Sequence, residues 1–136
     1  MLQFCTFCKI VSGELSSNTV YEDEHVFAFI DIRPINLGHT LLVSKDHYEN
    51  IFDVSDETLV HLGKTLKTLS SAVKAATGAE GINIAMNNER AAGQIINHIH
   101  FHIIPRFTGD GLQHWPGKLY SEGELKEIAG KIRESF

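Results

Sequence analysis

Positive charge, cysteine and long apolar segments are all scarce in this chain of 136 residues. The 12 lysines and arginines are outnumbered by 17 aspartates and glutamates, which gives a formal net charge of −5. This balance argues against a broad nucleic-acid-binding surface, although a small pocket can still be locally cationic. The longest uninterrupted apolar run is Val26–Ile30, far short of the roughly 20 residues that a membrane-spanning helix needs. The sequence therefore predicts neither nucleic acid nor a membrane as a partner.

The chain has only two cysteines, Cys5 and Cys8, too few for a small fold held together by disulfides. The segment Met1–Cys5 has no basic start followed by an apolar stretch, so it does not resemble a secretory signal peptide. We therefore expect a cytoplasmic protein. The length and an ordinary globular composition predict one domain over residues 1–136.

Residue patterns predict an α+β fold. Strands are expected over residues 19–21, 26–31, 38–44, 81–87 and 96–105, and a short helix over 5–11. Ser55 suits the start of a long helix and Gly78 its end, because apolar residues between them recur every three or four positions. Those residues are Leu59, Leu62, Leu66, Leu69, Val73 and Ala76. Ser121 and Glu124 have the spacing of a capping box, which predicts a final helix from about Glu122. Because most strands precede the long helix, the order favours an antiparallel sheet over repeated β-α-β units.

Histidine is present in excess, with eight in the chain, and three of them fall within the segment His98–Ile104. There the histidines alternate strictly with Ile99, Phe101 and Ile103. Successive side chains of a strand point to opposite faces, so the three apolar residues should pack under the long helix and the three imidazoles should share the other face. A hydrophobic core does not explain such a row, which therefore predicts a functional site. The pattern gives no role to His25, His61 and His114.

Metal binding and catalysis compete as explanations of this row. Residues i and i+4 of a strand lie about 13 Å apart, whereas zinc requires each nitrogen at about 2.0–2.1 Å. One ion therefore cannot bind all three rings without a severe bend in the chain. A catalytic row, with a phosphate-sized group beside the middle ring of His100, fits the spacing better.

The alternating segment His98–Ile104 resembles the signature of the histidine-triad (HIT) superfamily. Other segments are similar to HIT segments and follow the family's order: Cys5–Ile10, Val26–Asp31, Gly38–Lys45, Ala91–Gln94 and Ile103–Arg106. The resemblance covers roughly residues 5–108. It implies a five-stranded antiparallel sheet with a long helix on one face and a C-terminal helix. It also implies a homodimer in which two sheets join into one of ten strands.

The resemblance implies chemistry at the α-phosphate of a nucleotide. His100 would attack phosphorus and form a transient nucleotidyl-histidine, since a neutral imidazole is a competent nucleophile near pH 7. His98 and His102 would position phosphate oxygens or relay protons to the leaving group, and His39 matches the family's fourth histidine. Clustered imidazoles and main-chain donors can neutralise phosphate charge, so no obligatory Mg²⁺ is expected.

A nucleoside site is also implied by the resemblance. Asp31 matches the acceptor of the ribose hydroxyls, and a purine nucleotide is the expected ligand. Phe7, Ile10 and Phe29 match residues that line the base pocket, although residue type alone would place them in the core.

Asn87, Gly93 and Gln94 match positions in the family's substrate and phosphate site. Ile95 departs from the family pattern, because many relatives have a polar side chain there that contacts phosphate.

The implied activity is hydrolysis of nucleoside 5′-phosphoryl conjugates, either phosphoramidates or dinucleoside polyphosphates. Two alternatives stay open: nucleotidyl transfer to phosphate or another acceptor at the same site, and a purine-nucleotide-binding regulatory module with vestigial turnover.

The Cys5-x-x-Cys8 pair by itself is half a site. A redox pair of this kind needs a preceding strand, a metal site needs two more ligands, and two free thiols are the remaining alternative. Some HIT proteins that resemble this chain bind a structural zinc ion through such a pair and two histidines, which correspond here to His47 and His98. A closed set of four ligands has no open position, so this ion would be structural.

Overall fold

The structure, a computed structural model, describes residues 4–136. Its helices are α1 (Thr6–Val11), α2 (Asp56–Thr77) and α3 (Glu122–Glu134), and its strands are β1 (Thr19–Glu22), β2 (Val26–Ile30), β3 (Thr40–Ser44), β4 (Gly81–Ala85) and β5 (His100–Arg106). Within these residues the strands form a five-stranded sheet in the order β1-β2-β3-β5-β4, with antiparallel neighbours. The predicted α+β fold is therefore confirmed. Residues 1–3, part of the segment on which the signal-peptide expectation rested, lie outside the described residues.

Helix α2 covers one face of the sheet, as the apolar pattern predicts. Ser55 caps its N-terminus by accepting a hydrogen bond from the N–H of Thr58, and Gly78 ends it in the left-handed conformation at φ 70°. The core between α2 and the sheet contains Val26, Ala28, Leu42, Leu62, Leu69, Val73, Ile99 and Ile103, with Leu66 and Phe101 packed against it. The predicted buried face of β5 is thus confirmed. The buried stripe of α2 ends at Val73, because Ala76 is exposed.

The opposite face of the sheet carries the strand histidines. Strand pairing places Val43 beside His100 and Leu41 beside His102, and directly paired residues of an antiparallel sheet lie on the same face. Helix α1 packs on this face through Phe7. A second buried cluster results, made of Phe7, Phe27, Phe29, Leu41 and Val43.

Strand β5 begins at His100, four residues later than the sequence pattern predicts. Residues 96–98 form a bend, in which the N–H of His98 donates to the carbonyl of Ile96. The N–H of Ile99 donates to the carbonyl of Tyr48 at 2.8 Å instead of extending the ladder to β3. His98 therefore lies in the bend and not on the strand. The other predicted strands agree with the structure to within two residues at each end.

Helix α3 begins at the predicted capping box. Ser121 Oγ accepts from the N–H of Glu124, and the carboxylate of Glu124 accepts from the N–H of Ser121. None of the residues of α3 is buried. In the part of the chain that the structure describes, no helix is both long and apolar enough to cross a membrane.

Candidate active site and metal centre

Three histidines, two on β5 and one just before β3, lie together on the sheet face opposite α2. The ring centroids of His100 and His102 are 5.1 Å apart along β5. The ring of His39, just before β3, has its centroid 5.1 Å from that of His102. His39 is 2% exposed and His100 is 7% exposed. The strand alternation thus brings His100 and His102 side by side, and the pairing of β3 with β5 adds His39.

Hydrogen bonds indicate which nitrogen of each neutral ring carries the hydrogen. His100 Nδ1 lies 2.7 Å from the carbonyl oxygen of His98, which can only accept, so Nδ1 carries the hydrogen and Nε2 keeps a free lone pair. His39 Nδ1 accepts from the N–H of Ile35 at 3.1 Å, so the hydrogen of that ring is on Nε2. His39 Nε2 is 2.9 Å from His102 Nδ1, which must accept. His102 therefore carries its hydrogen on Nε2.

Burial favours the neutral form of these three rings. Removal from water disfavours the imidazolium form, which lowers the pKa of His39 and His100 and lowers the pKa of His102 to about 4. The carboxylate of Asp31 opposes this effect, because it favours positive charge nearby; its Oδ2 lies 3.7 Å from His39 Nε2. The site therefore offers an unprotonated nitrogen on His100 next to an N–H donor on His102.

The free energy of unfolding should decrease as the pH falls from about 6.5 towards 4. An unperturbed histidine has a pKa of 6.5, whereas folded His102 has a pKa of about 4, so the unfolded state binds more protons in this window. The contribution of His102 is complete above pH 6.5 and is lost as the pH passes through 4. Its ring faces His39 and His100, whose positive charge when protonated lowers the pKa of His102 further, and Asp31, whose carboxylate raises it. Urea unfolding of wild type and His102→Asn across this window measures the effect. The variant should lose less stability, and an equal loss in both proteins would contradict the assignment.

Part of the predicted nucleoside site lies beside the histidines. The ring of Phe7 meets that of His100 edge to face at 5.0 Å and that of Phe29 at 5.5 Å. Both phenylalanines are 4% exposed, so they form the wall behind the site and present no open aromatic face to a base. Ile10 is partly buried against the same cluster. Asp31 follows β2, and its Oδ1 accepts from the N–H of Arg33 at 2.8 Å.

A cleft of about 420 Å³ opens beside His102. Asn87 lines this cleft, which is consistent with its predicted place in a substrate site. His114 and Trp115 line it as well, although the sequence pattern gave them no role. The sequence offered only an isolated tryptophan next to a histidine as a sign of a functional role. That this loop packs beside β5 depends on contacts between distant parts of the chain.

The side chain of Gln94 is placed differently from what the resemblance implies. Its Nε2 donates to the carbonyls of Glu49 at 2.6 Å and Ile96 at 3.1 Å. Its Oε1 accepts from the N–H of Glu89 at 2.8 Å. Because both ends of the amide are already bonded within the chain, Gln94 supports the loop before β5 instead of contacting a phosphate.

The two neighbours of Gln94 belong to the same loop. Gly93 is exposed and has φ 93°, a left-handed conformation that favours glycine. Its N–H donates to the carbonyl of Arg90 at 3.0 Å, so it closes a turn. Ile95 is 93% exposed and lines a separate groove that includes His47, which places its side chain outside the cleft beside His102.

Two cysteines and two histidines form a second cluster, the set that the resemblance implies. The potential ligand atoms of Cys5, Cys8, His47 and His98 all lie within 4.8 Å of one another. His98 Nδ1 is 3.3 Å from Cys5 Sγ, 3.5 Å from Cys8 Sγ and 3.2 Å from His47 Nδ1. Tetrahedral zinc, with bonds of about 2.3 Å to sulfur and 2.0–2.1 Å to nitrogen, separates sulfur from nitrogen by about 3.6 Å and nitrogen from nitrogen by about 3.3 Å. The cluster therefore fits a zinc ion.

The hydrogen bonds of His98 agree with this fit. His98 Nε2 lies 2.7 Å from the carbonyl oxygen of Ser44, so Nε2 carries the hydrogen and Nδ1 presents its lone pair to the cysteines. The ring is fully buried, and both of its nitrogens are engaged. It is therefore unavailable to a substrate, which corrects the expectation that His98 positions phosphate oxygens or relays protons.

Asp31, His39 and His102 are the other group of metal-binding residue types in the described chain, but their hydrogen bonds oppose a metal. His39 would have to move its hydrogen to Nδ1 to bind an ion through Nε2. The N–H of Ile35 already donates to Nδ1, so two hydrogens would face each other. The cysteine-containing cluster is the better metal site.

Known proteins share both the sequence and the fold. The chain matches the HIT domain over residues 12–109. It is 48% identical over 124 residues to an uncharacterised HIT-like protein of Methanocaldococcus jannaschii, covering 91% of each chain. It is 33% identical over 139 residues to the adenosine 5′-monophosphoramidase of Candida albicans, covering 97% of this chain and 91% of that one.

Two solved structures show that the similarity extends to the fold. SMU.412c from Streptococcus mutans superposes with a TM-score of 0.94 at 36% identity, covering 99% of this chain and 87% of that one. A Zn-bound histidine triad family protein from Mycobacterium smegmatis has a TM-score of 0.77 at 33% identity, covering 98% of each chain. The histidine face, the cysteine pair and these matches lead to one conclusion: the chain belongs to the HIT domain family.

Proposed function

We propose that this protein hydrolyses nucleoside 5′-phosphoryl conjugates through a covalent nucleotidyl-histidine at His100. The observation that carries the proposal is the hydrogen bond of 2.7 Å from His100 Nδ1 to the carbonyl of His98, because it leaves Nε2 unprotonated. The name of the Candida albicans relative, an adenosine 5′-monophosphoramidase, supports a phosphoramidate as the substrate class.

Catalysis proceeds in two displacements. In the first, His100 Nε2 bonds to the α-phosphorus, the bond from phosphorus to the leaving group breaks, and the leaving group takes up one proton from solvent. In the second, water attacks phosphorus, the bond to Nε2 breaks, and one proton is released. His102 donates its Nε2–H to the phosphoryl group and stabilises charge there without a divalent cation.

In this proposal the substrate occupies the cleft beside His102, with Asn87 on its wall. Asp31, which is not part of the cleft lining but lies beside His39, accepts hydrogen bonds from the ribose hydroxyls. Asp31 suits this role because an ionised carboxylate has two acceptor oxygens, and only Oδ1 is bonded to the backbone, through the N–H of Arg33. Zinc at Cys5, Cys8, His47 and His98 would be structural, since four protein ligands leave no open position.

The protein also acts as a homodimer in this proposal. Strand β4 lies at one edge of the sheet, and Ile84 on that strand is about half exposed. An edge strand with unpaired backbone groups can pair with the same strand of a second copy, which would give a ten-stranded sheet.

Replacing Asp31 with asparagine should raise KM about 10-fold and change kcat by less than about 3-fold. Hydrogen bonds to a charged group contribute about 1.5–3 kcal/mol, and the substituted amide accepts more weakly. The rate is expected to persist because loss of the carboxylate still leaves the three histidines neutral. Steady-state kinetics with an AMP phosphoramidate measure both constants, and Asp56→Asn, in the first turn of α2, is the matched control. A fall in kcat at constant KM would instead place Asp31 in the chemical step.

The activity itself is tested with amine, lysyl and dinucleotide conjugates of AMP and GMP, in buffer without added divalent cation. The expected result is release of the nucleoside monophosphate, preceded by a rapid burst of leaving group equal to the enzyme concentration. Formation of a nucleoside diphosphate only when phosphate is present would indicate a phosphorylase. Tight binding of AMP without any burst would contradict the proposal and favour a regulatory module.

A further inference from the structure

We propose that His98 is a positioning residue that connects the Cys5/Cys8/His47 cluster to His100, so that metal occupancy of the cluster fixes the ring of His100. This inference rests on the proposed role of His100 as nucleophile. It assigns the cluster a second effect besides holding α1 to the sheet.

His98 makes three interactions, one with the cluster, one with Ser44 and one with His100. Its Nδ1 faces the cluster, 3.3 Å from Cys5 Sγ. Its Nε2 donates to the carbonyl of Ser44 at 2.7 Å. Its own carbonyl accepts the Nδ1–H of His100 at 2.7 Å. The peptide group that fixes the hydrogen of His100 therefore belongs to the residue whose side chain completes the cluster.

The position of this carbonyl is not fixed by the sheet. Strand β5 begins at His100, which pairs with Val43, so a continued ladder would place Ile99 opposite Ser44. The N–H of Ile99 instead bonds to Tyr48, and the carbonyl of Ser44 accepts from the imidazole of His98. A side chain thus takes the place of a ladder hydrogen bond at the start of β5.

Emptying the cluster would replace the metal bond of His98 Nδ1 with, at most, a weak hydrogen bond from the thiol of Cys5 or Cys8. The imidazole could then turn, the bond to Ser44 would weaken, and the bend at residues 96–98 would lose the constraint that orients the carbonyl of His98. His100 would no longer be held with its hydrogen on Nδ1. His102 is an internal control, because the hydrogen bond from His39, and not the cluster, determines which nitrogen of its ring carries the hydrogen.

Nitrogen-15 NMR of histidine-labelled protein at pH 7.5 tests the inference, with zinc-loaded and chelator-stripped wild type compared. His100→Asn and His102→Asn assign the ring signals, and metal analysis confirms the loading. In the loaded protein His100 should show one protonated and one unprotonated nitrogen. On stripping, its two signals should move toward each other while those of His102 stay in place, and kcat should fall about 10-fold or more with KM within about 2-fold.

Two outcomes would overturn the inference. His100 signals that stay separate when zinc is below a tenth of an equivalent would show that the cluster does not position the ring. Equal changes at His100 and His102, with loss of far-ultraviolet circular dichroism, would show a general loss of structure. Because the NMR signals need no substrate, absence of any hydrolysis would refute the proposed function without deciding this inference.

Discussion

His100→Asn should lower kcat by about 10⁴-fold or more and abolish the covalent intermediate. Removal of the covalent nucleophile of a serine protease costs on the order of 10⁶-fold in kcat. Asparagine is chosen because its side-chain N–H₂ can still donate to the carbonyl of His98, as Nδ1 does now, while the attacking nitrogen is removed. Single-turnover kinetics and intact-protein mass spectrometry of quenched reactions measure both effects.

A matched substitution controls for the loss of a partly buried imidazole. The ring of His61, on α2, stacks on that of His25 with centroids 3.6 Å apart and lies outside the cleft and the metal cluster. His61→Asn should keep the wild-type kcat. The affinity of His100→Asn for AMP should stay within about 3-fold of wild type, because the ribose acceptor and the cleft are unchanged. Turnover by His100→Asn near the wild-type rate would remove His100 as the nucleophile.

Cys8→Ser should reduce the zinc content to less than a tenth of an equivalent and lower Tm by roughly 10 °C. Zinc that binds the folded protein at 100 to 1,000 times its Kd stabilises it by about 3–4 kcal/mol. For a chain of this size each kcal/mol changes Tm by about 3–4 °C. Cys8 is the ligand to test because it is 1% exposed and its Sγ lies 3.4 Å from His47 Nδ1 and 3.5 Å from His98 Nδ1.

A chelator separates metal loss from the effect of a buried hydroxyl. Wild type with chelator should melt close to Cys8→Ser, and the chelator should leave the Tm of the variant unchanged. Thr6→Ser, an exposed substitution on the same short helix, should keep both the metal and the Tm. Wild type purified without chelator but free of zinc, or a Tm that does not respond to stripping, would contradict a structural metal.

The alternation in the sequence was sufficient to predict the apolar face of the segment 99–103 in full. Ile99, Phe101 and Ile103 pack toward α2, and His100 and His102 lie on the other face. The reason is geometric, since a side-chain period of two leaves no other arrangement once the apolar set is buried. The alternation also placed the ring of His98 on the side of α1, where it meets Phe7 at 6.0 Å, but it predicted the strand start wrongly, because the segment 96–98 bends before the strand begins.

The loop residues were the least predictable part of the candidate site. Gln94 is bonded within its own loop, and Trp115 lines the cleft beside His102. Neither placement has a local signature, because each depends on backbone groups or strands far along the chain. The metal cluster was predictable only through the resemblance, since two of its ligands lie some ninety residues apart, as Cys5 and His98 do.

Residue patterns alone were enough to predict the antiparallel α+β sheet, the helix caps at Ser55 and Ser121, and the two faces of β5. These depend on periods of 2 and 3.6 residues and on side chains that bond to their own backbone neighbours. Which nitrogen of each histidine carries the hydrogen follows only from the folded arrangement. That choice depends on a carbonyl of His98, an N–H of Ile35 and a carbonyl of Ser44, and only the folded chain brings these groups within 3.1 Å of the rings.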